Sequence, residues 1–527
     1  MMNKPMLLFL TLLSLACGRV PAQHEVRKPN ILFAIMDDAT YLHMGAYGCS
    51  WINTPNFDRI AKNGLLFRNA YTPNAKCAPS RSVILTGRNS WQLEAAANHW
   101  PFFPEKFRVF TEVLSENGYH VGYTGKGWAP GIAKNKDGSK RNLLIKAWNQ
   151  SRTTPPTNGI SAIDYAGNFD RFLAKRNDMP FFFWYGGLEP HRGYEYASGI
   201  KKGGKSLDQL SDEQTFAFWP ATDSVKTDLL DYAYEIEYFD RQLGKMIDAL
   251  ERSGELENTI IVVTSDNGMP FPRVKGQAYE YSNHLPLAIM WPGGIKHPGR
   301  TIDDFISFTD LAPTFLEVAG IPAKQSGMQK ITGNSIRDIF DSPEEGFIDP
   351  HRNFVLVGKE RHDVGRPEDQ GYPIRGIVRD SMLYLRNFKP KRWPSGNPET
   401  GYLNTDGGAT KTFLLKYAYS SQSDHQYWEW NFGKRPPEEL YNIKNDPDCL
   451  KNLAGEESLQ QLKNELNAFL SDRLKQEQDP RILGHGDIFD QYEYANPKTA
   501  HFYERYLNKD TTLSWGWVND SDFQIIP

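Results

Sequence analysis

One short segment of the chain places a cysteine, a serine and an arginine close together. Cys77 is followed by Ala78-Pro79-Ser80-Arg81, and a proline at this position is typical of the first turn of a helix. The amino end of a helix favours anions, because its free N–H groups and its dipole face outward there. The segment would therefore place Cys77 at a helix terminus that favours anions, with Arg81 one turn away.

Two pairs of oxygen ligands follow predicted buried strands elsewhere in the chain. Asp37 and Asp38 come directly after one apolar run, and Asp266 and Asn267 come directly after another. Ca²⁺ prefers carboxylate and carbonyl oxygens, so the two pairs together predict a calcium site. Either pair alone is more typical of a turn, so the prediction depends on the two pairs meeting in the fold.

The elements that would position these residues alternate along the chain. The predicted strands are 30–36, 121–124, 181–185, 259–264, 285–290 and 354–357, and the predicted helices are 54–64, 111–117 and 229–250. This alternation predicts an α/β fold with a mostly parallel sheet. Ligands bind at the carboxyl ends of the strands in such sheets, where Asp37, Lys126, His191 and Asp266 all fall.

The character of the sequence changes after about Arg375. Short strand-like segments at 376–378 and 383–385 precede a loop-rich stretch and a helix near 458–476. We interpret this part as a smaller α+β domain, since the chain is long enough for two domains. The predicted division is a leader at 1–22, a catalytic domain at 23–374 and a C-terminal domain at 375–527.

The segment from Cys77 to Arg81 matches the C-x-P-S-R signature of the sulfatases, and Leu85-Thr86-Gly87-Arg88 continues it. On these residues the chain resembles that family. The resemblance implies an alkaline-phosphatase-like fold, with a large, mixed, mostly parallel sheet flanked by helices and an antiparallel sheet in the smaller C-terminal domain. It also implies that a formylglycine-generating maturase converts Cys77 to formylglycine, which binds Ca²⁺ together with the two oxygen-ligand pairs. The alternative for Cys77 is a buried structural thiol.

The resemblance also implies roles for further polar residues. Arg81 would contact the nucleophile, Lys126 and Lys275 would hold the sulfate, and His191 would protonate the leaving group. One position departs from the family pattern. Many sulfatases have Gly-Lys-x-His, in which the histidine assists release of sulfate, whereas this chain has Gly125-Lys126-Gly127-Trp128.

Within the family, the chain resembles the heparan N-sulfatases in three segments, at 189–192, 265–272 and 361–375. This similarity implies removal of sulfate from a terminal glucosamine of heparan or heparin fragments. His99, Trp128, His362 and Asp363 are the candidate substrate contacts. His99 is also a candidate to replace the missing histidine, and a structural role is its alternative.

Two other functions stay open. An O-sulfatase acting on sulfated N-acetylglucosamine of host glycans would use the same nucleophile and metal. A catalytically silent, sulfatase-like glycan-binding protein is the alternative from another class, and Trp128 is the residue that prompts it.

Composition and charge limit the partners. The formal charge is −4, and the chain has no basic field of the kind that nucleic-acid binders need. A sulfated glycan would have to be met by a local cationic pocket. Cys49 and Cys449 could pair in an oxidising compartment, but sequence alone does not decide this.

The first 22 residues have the pattern of an export signal. Lys4 gives a positive start, the apolar run 6–17 is too short to span a bilayer, and small residues precede Gln23. Loss of this leader changes the formal charge from −4 to −6. A lipoprotein acylated at Cys17 is the alternative. Either form would work outside the cytoplasm, in the periplasm or at the cell surface.

Overall fold

A computed structural model describes residues 27–525 of the chain. The predicted leader, with Cys17, lies outside the described residues. The strands are β1 (Asn30–Met36), β2 (Leu65–Tyr71), β3 (Phe102–Phe103), β4 (His120–Gly125), β5 (Ile132–Ala133), β6 (Phe181–Gly186), β7 (Thr259–Ser265), β8 (Leu287–Met290), β9 (Arg300–Ser307), β10 (Phe354–Lys359), β11 (Ile374–Arg379), β12 (Met382–Asn387) and β13 (Glu438–Asn442).

The α-helices are α1 (Pro55–Lys62), α2 (Cys77–Thr86), α3 (Phe110–Glu116), α4 (Tyr165–Leu173), α5 (Ser198–Lys201), α6 (Asp223–Arg252), α7 (Glu280–Asn283), α8 (Leu311–Val318), α9 (Arg337–Asp341), α10 (Ala409–Leu415), α11 (Gln422–Phe432), α12 (Gln460–Gln476), α13 (Ile488–Gln491) and α14 (Phe502–Leu507). The described part of the chain has no helix that is both long and apolar enough to cross a membrane.

A seven-stranded sheet forms the centre of the molecule, in the order β4-β6-β1-β7-β8-β2-β9. Strand β8 runs antiparallel to β7 and β2, and the other neighbouring strands in the sheet pair in parallel. Helices cover both faces, as a parallel sheet requires. The predicted α/β fold with a mixed, mostly parallel sheet is confirmed.

Strand β1 shows why the sheet is buried on both faces. Its side chains alternate between the faces. Ile31, Phe33 and Ile35 pack in one core with α2, α3 and α8, whereas Leu32, Ala34 and Met36 pack in the other core with α6. A continuous apolar run is therefore what this central strand needs, and each large aliphatic side chain buried in it contributes about 1.5–3 kcal/mol.

The register of the sheet places the polar residues that follow its strands. Met36 at the end of β1 pairs with Ser265 at the end of β7, so the residues after both strands emerge side by side. Gly125 at the end of β4 likewise pairs with Gly186 at the end of β6. All four strand ends lie at the carboxyl edge of the sheet, where we expect a ligand.

A second sheet of four antiparallel strands follows, in the order β10-β11-β12-β13. Helix α12 packs on it through Leu466, Leu470 and Leu474, which confirms the predicted smaller α+β unit. The predicted division after residue 374 falls at the start of β11, and the position of that boundary stays a prediction. Cys49 and Cys449 are both free thiols.

Candidate active site

Cys77 is the first residue of helix α2. The helix is buried along its whole length, and Cys77 is 1% exposed. Burial raises the pKa of the Cys77 thiol well above its usual range, against the opposing effect of Lys126. The unmodified side chain is therefore a neutral thiol, which is a poor nucleophile.

Carboxylates lie next to the Cys77 side chain. Its Sγ is 3.5 Å from Asp37 Oδ1 and 3.9 Å from Asp38 Oδ1. Asp266 reaches the same place from the end of β7, and one ligand atom from each of these four residues lies within 4.8 Å of the others. The two oxygen-ligand pairs that follow separate strands in the sequence do meet in the fold.

This donor set fits a hard divalent cation. Asn267 Nδ2 donates to Asp38 Oδ1 at 2.7 Å, whereas Asn267 Oδ1 is buried and has no hydrogen-bond partner within residues 27–525. Burial raises the pKa of Asp266 to about 7, against the opposing effect of Arg81. Three clustered carboxylates and an unused amide oxygen are the ligands that Ca²⁺ prefers, and such an ion would relieve their mutual repulsion.

Two lysines bind the carboxylates from the cavity side. Lys126 Nζ lies 2.7 Å from both oxygens of Asp37, and Lys275 Nζ lies 2.6 Å from Asp38 Oδ2 and 2.7 Å from Asp406 Oδ2. Burial opposes ionisation of Asp37, but Lys126 and its other cationic neighbours hold the pKa of that carboxyl well below its usual range. Both lysines are thus fixed as cations beside the Cys77 side chain.

Arg81 joins three parts of the site. Its Nε donates to Asp266 Oδ2 at 2.7 Å, and its Nη1 donates to the carbonyl oxygens of Lys126 and Gly127 at 2.9 and 2.8 Å. The guanidinium is fully buried. It therefore holds α2, the end of β7 and the loop after β4 in one arrangement, with a planar geometry that lysine lacks.

His191 lies on the loop after β6. Its Nε2 is 3.8 Å from Asp38 Oδ2, and Nδ1 is 3.1 Å from the carbonyl oxygen of Arg192. The Arg192 guanidinium is itself held by both carboxylate oxygens of Asp228 and lies 3.9 Å from the centroid of the Phe271 ring. The loop is thus anchored to α6 while the His191 side chain stays 34% exposed.

The site opens into a cavity of about 600 Å³. The predicted site residues that line this cavity are Asp37, Cys77, His99, Lys126, His191, Lys275 and Asp363. The predicted residues Asp38, Arg81, Asp266 and Asn267 lie beneath them, each fully buried. The described site residues therefore form two layers. The buried layer holds oxygen ligands and Arg81, and the layer that faces the cavity holds Cys77, the two lysines and His191.

Two predicted substrate contacts do not line the cavity. Trp128 Nε1 donates to Ser82 Oγ at 2.8 Å, and its ring packs against Phe103. His362 is fully buried, with Nε2 2.6 Å from Asn74 Oδ1. The position of these two residues adds no support to their predicted contact with substrate.

Several cavity residues were missed in the sequence. Lys76 immediately precedes Cys77, and that adjacency is the one local signal for it. Asp406 stands before two glycines in a loop-rich stretch, a pattern that is typical of a turn. Trp100, Tyr494 and Trp517 also line the cavity, and the last two are more than 300 residues from Cys77 along the chain.

Comparisons with known proteins identify the family of the chain. A sequence profile described as Sulfatase matches residues 29–321. The human N-sulphoglucosamine sulphohydrolase is 26% identical over 498 residues, which cover 89% of this chain and 94% of that protein. An ulvan-active sulfatase of Formosa agariphila is 26% identical over 503 residues, covering 84% of this chain and 75% of that protein.

Solved structures show the same fold. A structure of BT4656 in complex with its substrate D-glucosamine-2-N,6-O-disulfate has a TM-score of 0.60 and 21% identity, covering 86% of this chain and 99% of that chain. The sequence profile spans the whole seven-stranded sheet, the Cys77 helix and both oxygen-ligand pairs. The chain therefore belongs to the sulfatase family, is a sulfuric ester hydrolase, and is close to N-sulfoglucosamine sulfohydrolase.

Proposed function

We propose that this enzyme removes sulfate from a terminal glucosamine of heparan- or heparin-type fragments, with a formylglycine made from Cys77 and with bound Ca²⁺. One observation carries the proposal. The Cys77 side chain lies at the start of a helix, 3.5 Å from Asp37, inside a buried set of carboxylates and cations that opens into one cavity. A hydrated aldehyde at this position would supply a hydroxyl nucleophile for sulfur, and Asp37, Asp38, Asp266 and Asn267 would hold Ca²⁺, which would supply positive charge beside the sulfate.

Four other residues of the site have separate roles in the proposed reaction. Lys126 and Lys275 line the cavity as cations, and they offset the charge that spreads over the sulfate oxygens. Arg81 keeps the start of α2 aligned with the oxygen ligands. His191 lies at the cavity with its side chain partly exposed, so it can give a proton to the departing nitrogen or oxygen.

The sugar is inferred from similarity. The human relative is named for N-sulfoglucosamine, and BT4656 was solved with a glucosamine that carries both an N-sulfate and a 6-O-sulfate. A cavity of about 600 Å³ is in the range that holds small ligands. His99 and Asp363 both line it, and His99 is the sugar contact that we propose.

A second candidate is an O-sulfatase for sulfated N-acetylglucosamine. An N-acetylglucosamine-6-O-sulfatase of Bacteroides thetaiotaomicron is 26% identical over 427 residues, covering 64% of this chain and 75% of that protein. Nitrogen and oxygen leaving groups would use the same nucleophile and metal. Substrate measurements are what separate the two candidates.

The deciding experiment is a panel of defined glucosamines that carry sulfate at N, 3-O or 6-O. The protein is produced in a host with a formylglycine-generating maturase, and released sulfate is measured. We expect the N-sulfated compound to give the highest kcat/KM. A higher kcat/KM on an O-sulfated compound would assign the enzyme to the second candidate.

A mass measurement accompanies the panel. The tryptic peptide that spans Cys77 is expected to contain formylglycine in the active protein. An unmodified cysteine, together with no sulfate release from any compound, would favour the silent glycan-binding alternative.

We also propose export from the cytoplasm, on the pattern of residues 1–22 alone. The amino-terminal sequence of the mature protein tests this proposal. Cleavage before Gln23 supports a free exported protein, a lipid on Cys17 supports an anchored one, and an intact leader in the mature protein contradicts both.

A further inference from the structure

Three buried side chains form one wall of the cavity. Lys76 Nζ lies 2.6 Å from Asp363 Oδ2, and His99 Nδ1 lies 3.2 Å from Asp363 Oδ1. All three residues line the cavity together with Cys77. Because Asp363 is a carboxylate held by Lys76, it accepts the hydrogen of His99 Nδ1 and so sets the tautomer of the imidazole.

This arrangement leaves Nε2 of His99 as a hydrogen-bond acceptor. Burial lowers the pKa of His99 to about 4, against the opposing effect of Asp363, so the ring is neutral at neutral pH. Nε2 is buried, and no partner for it lies anywhere in residues 27–525. A buried acceptor without a donor is unfavourable, and the neighbouring cavity is where a ligand can supply one.

We propose that His99 selects the substrate by accepting a hydrogen bond from a free hydroxyl group of the sugar that carries the scissile sulfate. This inference rests on the proposed function, because it takes the ligand of the cavity to be a sulfated glucosamine. A sulfate ester on that hydroxyl has no hydrogen to donate, so substrates sulfated there are rejected. Asp363 and Lys76 act as positioning residues, since they hold the imidazole in the accepting tautomer.

The residues that line the cavity thus recognise two kinds of chemical group. Lys126 and Lys275 present donors and positive charge to the sulfate that is removed. His99 presents an acceptor without charge to the sugar. A site that pairs with a hydroxyl discriminates strongly against an analogue that lacks it, because the protein group is then left unpaired.

The test combines enzyme variants with substrate analogues. The parent compound is a methyl glycoside of N-sulfoglucosamine, and the analogues are its 3-, 4- and 6-deoxy forms. For the wild-type enzyme we expect one deoxy form to lose about 10- to 100-fold in kcat/KM. For His99→Phe we expect a similar loss on the parent and no further loss on that deoxy form.

Two further variants distinguish the loss of a hydrogen-bond acceptor from a general disturbance of the structure. His99→Gln keeps an acceptor near the Nε2 position and should recover part of the discrimination. His120→Phe is the matched control, because His120 Nε2 is also buried without a partner in the described chain, but it stacks on Phe172 away from the cavity. That variant should discriminate as the wild type does.

The outcomes separate this inference from the proposed function. The role of His99 is overturned if His99→Phe loses the same factor in kcat/KM, relative to the wild type, on the parent and on every deoxy form. It is also overturned if the variant shows no loss in kcat/KM on the parent. If N-sulfoglucosamine is not turned over but an O-sulfated compound is, the proposed function fails. The same deoxy series on the O-sulfated compound then tests His99 independently.

Discussion

At the scale of single residues, the site is a balance of buried charges. Two lysines that line the cavity each contact a carboxylate of the proposed metal set, Lys126 with Asp37 and Lys275 with Asp38. Removing one partner of a buried pair costs about 3–5 kcal/mol, because the remaining charge is left uncompensated. Substitutions that leave a bare charge in this cluster therefore affect stability and activity together, and a loss of activity can be interpreted by itself only in a variant that leaves none.

Cys77→Ala meets this condition, because the thiol is neutral and small. We expect sulfate release to fall more than about 10³-fold, with a melting temperature close to that of the wild type. Cys449→Ala is the matched control, since Cys449 is an equally buried thiol packed against the second sheet. Sulfate release by Cys77→Ala above one hundredth of the wild-type rate would exclude Cys77 as the precursor of the nucleophile.

His191→Ala tests the proposed proton donor. The loss in kcat/KM should reach about 10²–10⁴-fold on a glucosamine sulfate, whose leaving group needs a proton. On an activated aryl sulfate the loss should be small, because a phenolate leaves without protonation. Steady-state kinetics on both substrates is the measurement, and equal losses on the two would argue against an acid role.

At the scale of elements, the close approach of β4 and β6 positions Lys126. Gly125 has a φ of +75°, and a Cβ on it would overlap the carbonyl oxygen of Gly186. Lys126 N in turn donates to Gly186 O at 2.7 Å. The strand ends can approach so closely only because both are glycines, and this approach sets the backbone from which Lys126 reaches Asp37.

Gly125→Ala should therefore affect both folding and activity. A left-handed conformation costs about 1–2 kcal/mol for a residue with a Cβ, and the overlap with Gly186 adds about 1–3 kcal/mol. Gly138→Ala is the control, because Gly138 has a φ of +82° but a Cβ on it would meet no atom within 4 Å. Denaturant unfolding should show a larger loss in the free energy of unfolding for Gly125→Ala than for Gly138→Ala. Equal losses would mean that the close approach of β4 and β6 contributes nothing to stability.

At the scale of the whole molecule, the site is assembled from distant parts of the chain. The carboxyl edge of the large sheet supplies the oxygen ligands, while Asp363, Asp406, Tyr494 and Trp517 come from beyond the region matched by the family profile. Lys275 contacts Asp38 on one side and Asp406 on the other. The residues after the profile match therefore complete the lining of the cavity, and Asp406 supplies a second carboxylate partner for Lys275.

Metal binding should be visible in the stability of the whole protein. An ion that binds only the folded state stabilises it by about 2.7 kcal/mol at one hundred times its Kd, so we expect the melting temperature to fall in a calcium chelator and to recover with added Ca²⁺. Asp38→Asn should lose this shift, whereas Asp310→Asn, at a buried carboxyl before α8, should keep it. A melting temperature indifferent to chelator in the wild type would refute the metal assignment.

Sequence patterns were enough to predict the central strands of the large sheet and to identify Cys77 as the reactive residue. Long apolar runs predicted β1 and β7, because a strand buried on both faces needs apolar side chains at every position. Strands β2 and β9 were missed, since Arg68, Asn69, Asp303 and Asp304 interrupt their apolar pattern. The helix at Cys77 and its flanking residues were recognisable because all of them lie within a few consecutive positions.

By itself, the sequence determined the family, the α/β class and the local groups of reactive residues, because each of these depends on neighbours along the chain. Only the tertiary structure decided which groups meet. It joined Asp37 to Asp266 through strand pairing, turned Trp128 toward Ser82, and buried His362 beside Asn74. It also joined His99 to Asp363 and Lys275 to Asp406, since contacts between segments separated by more than one hundred residues depend on packing and leave no local pattern.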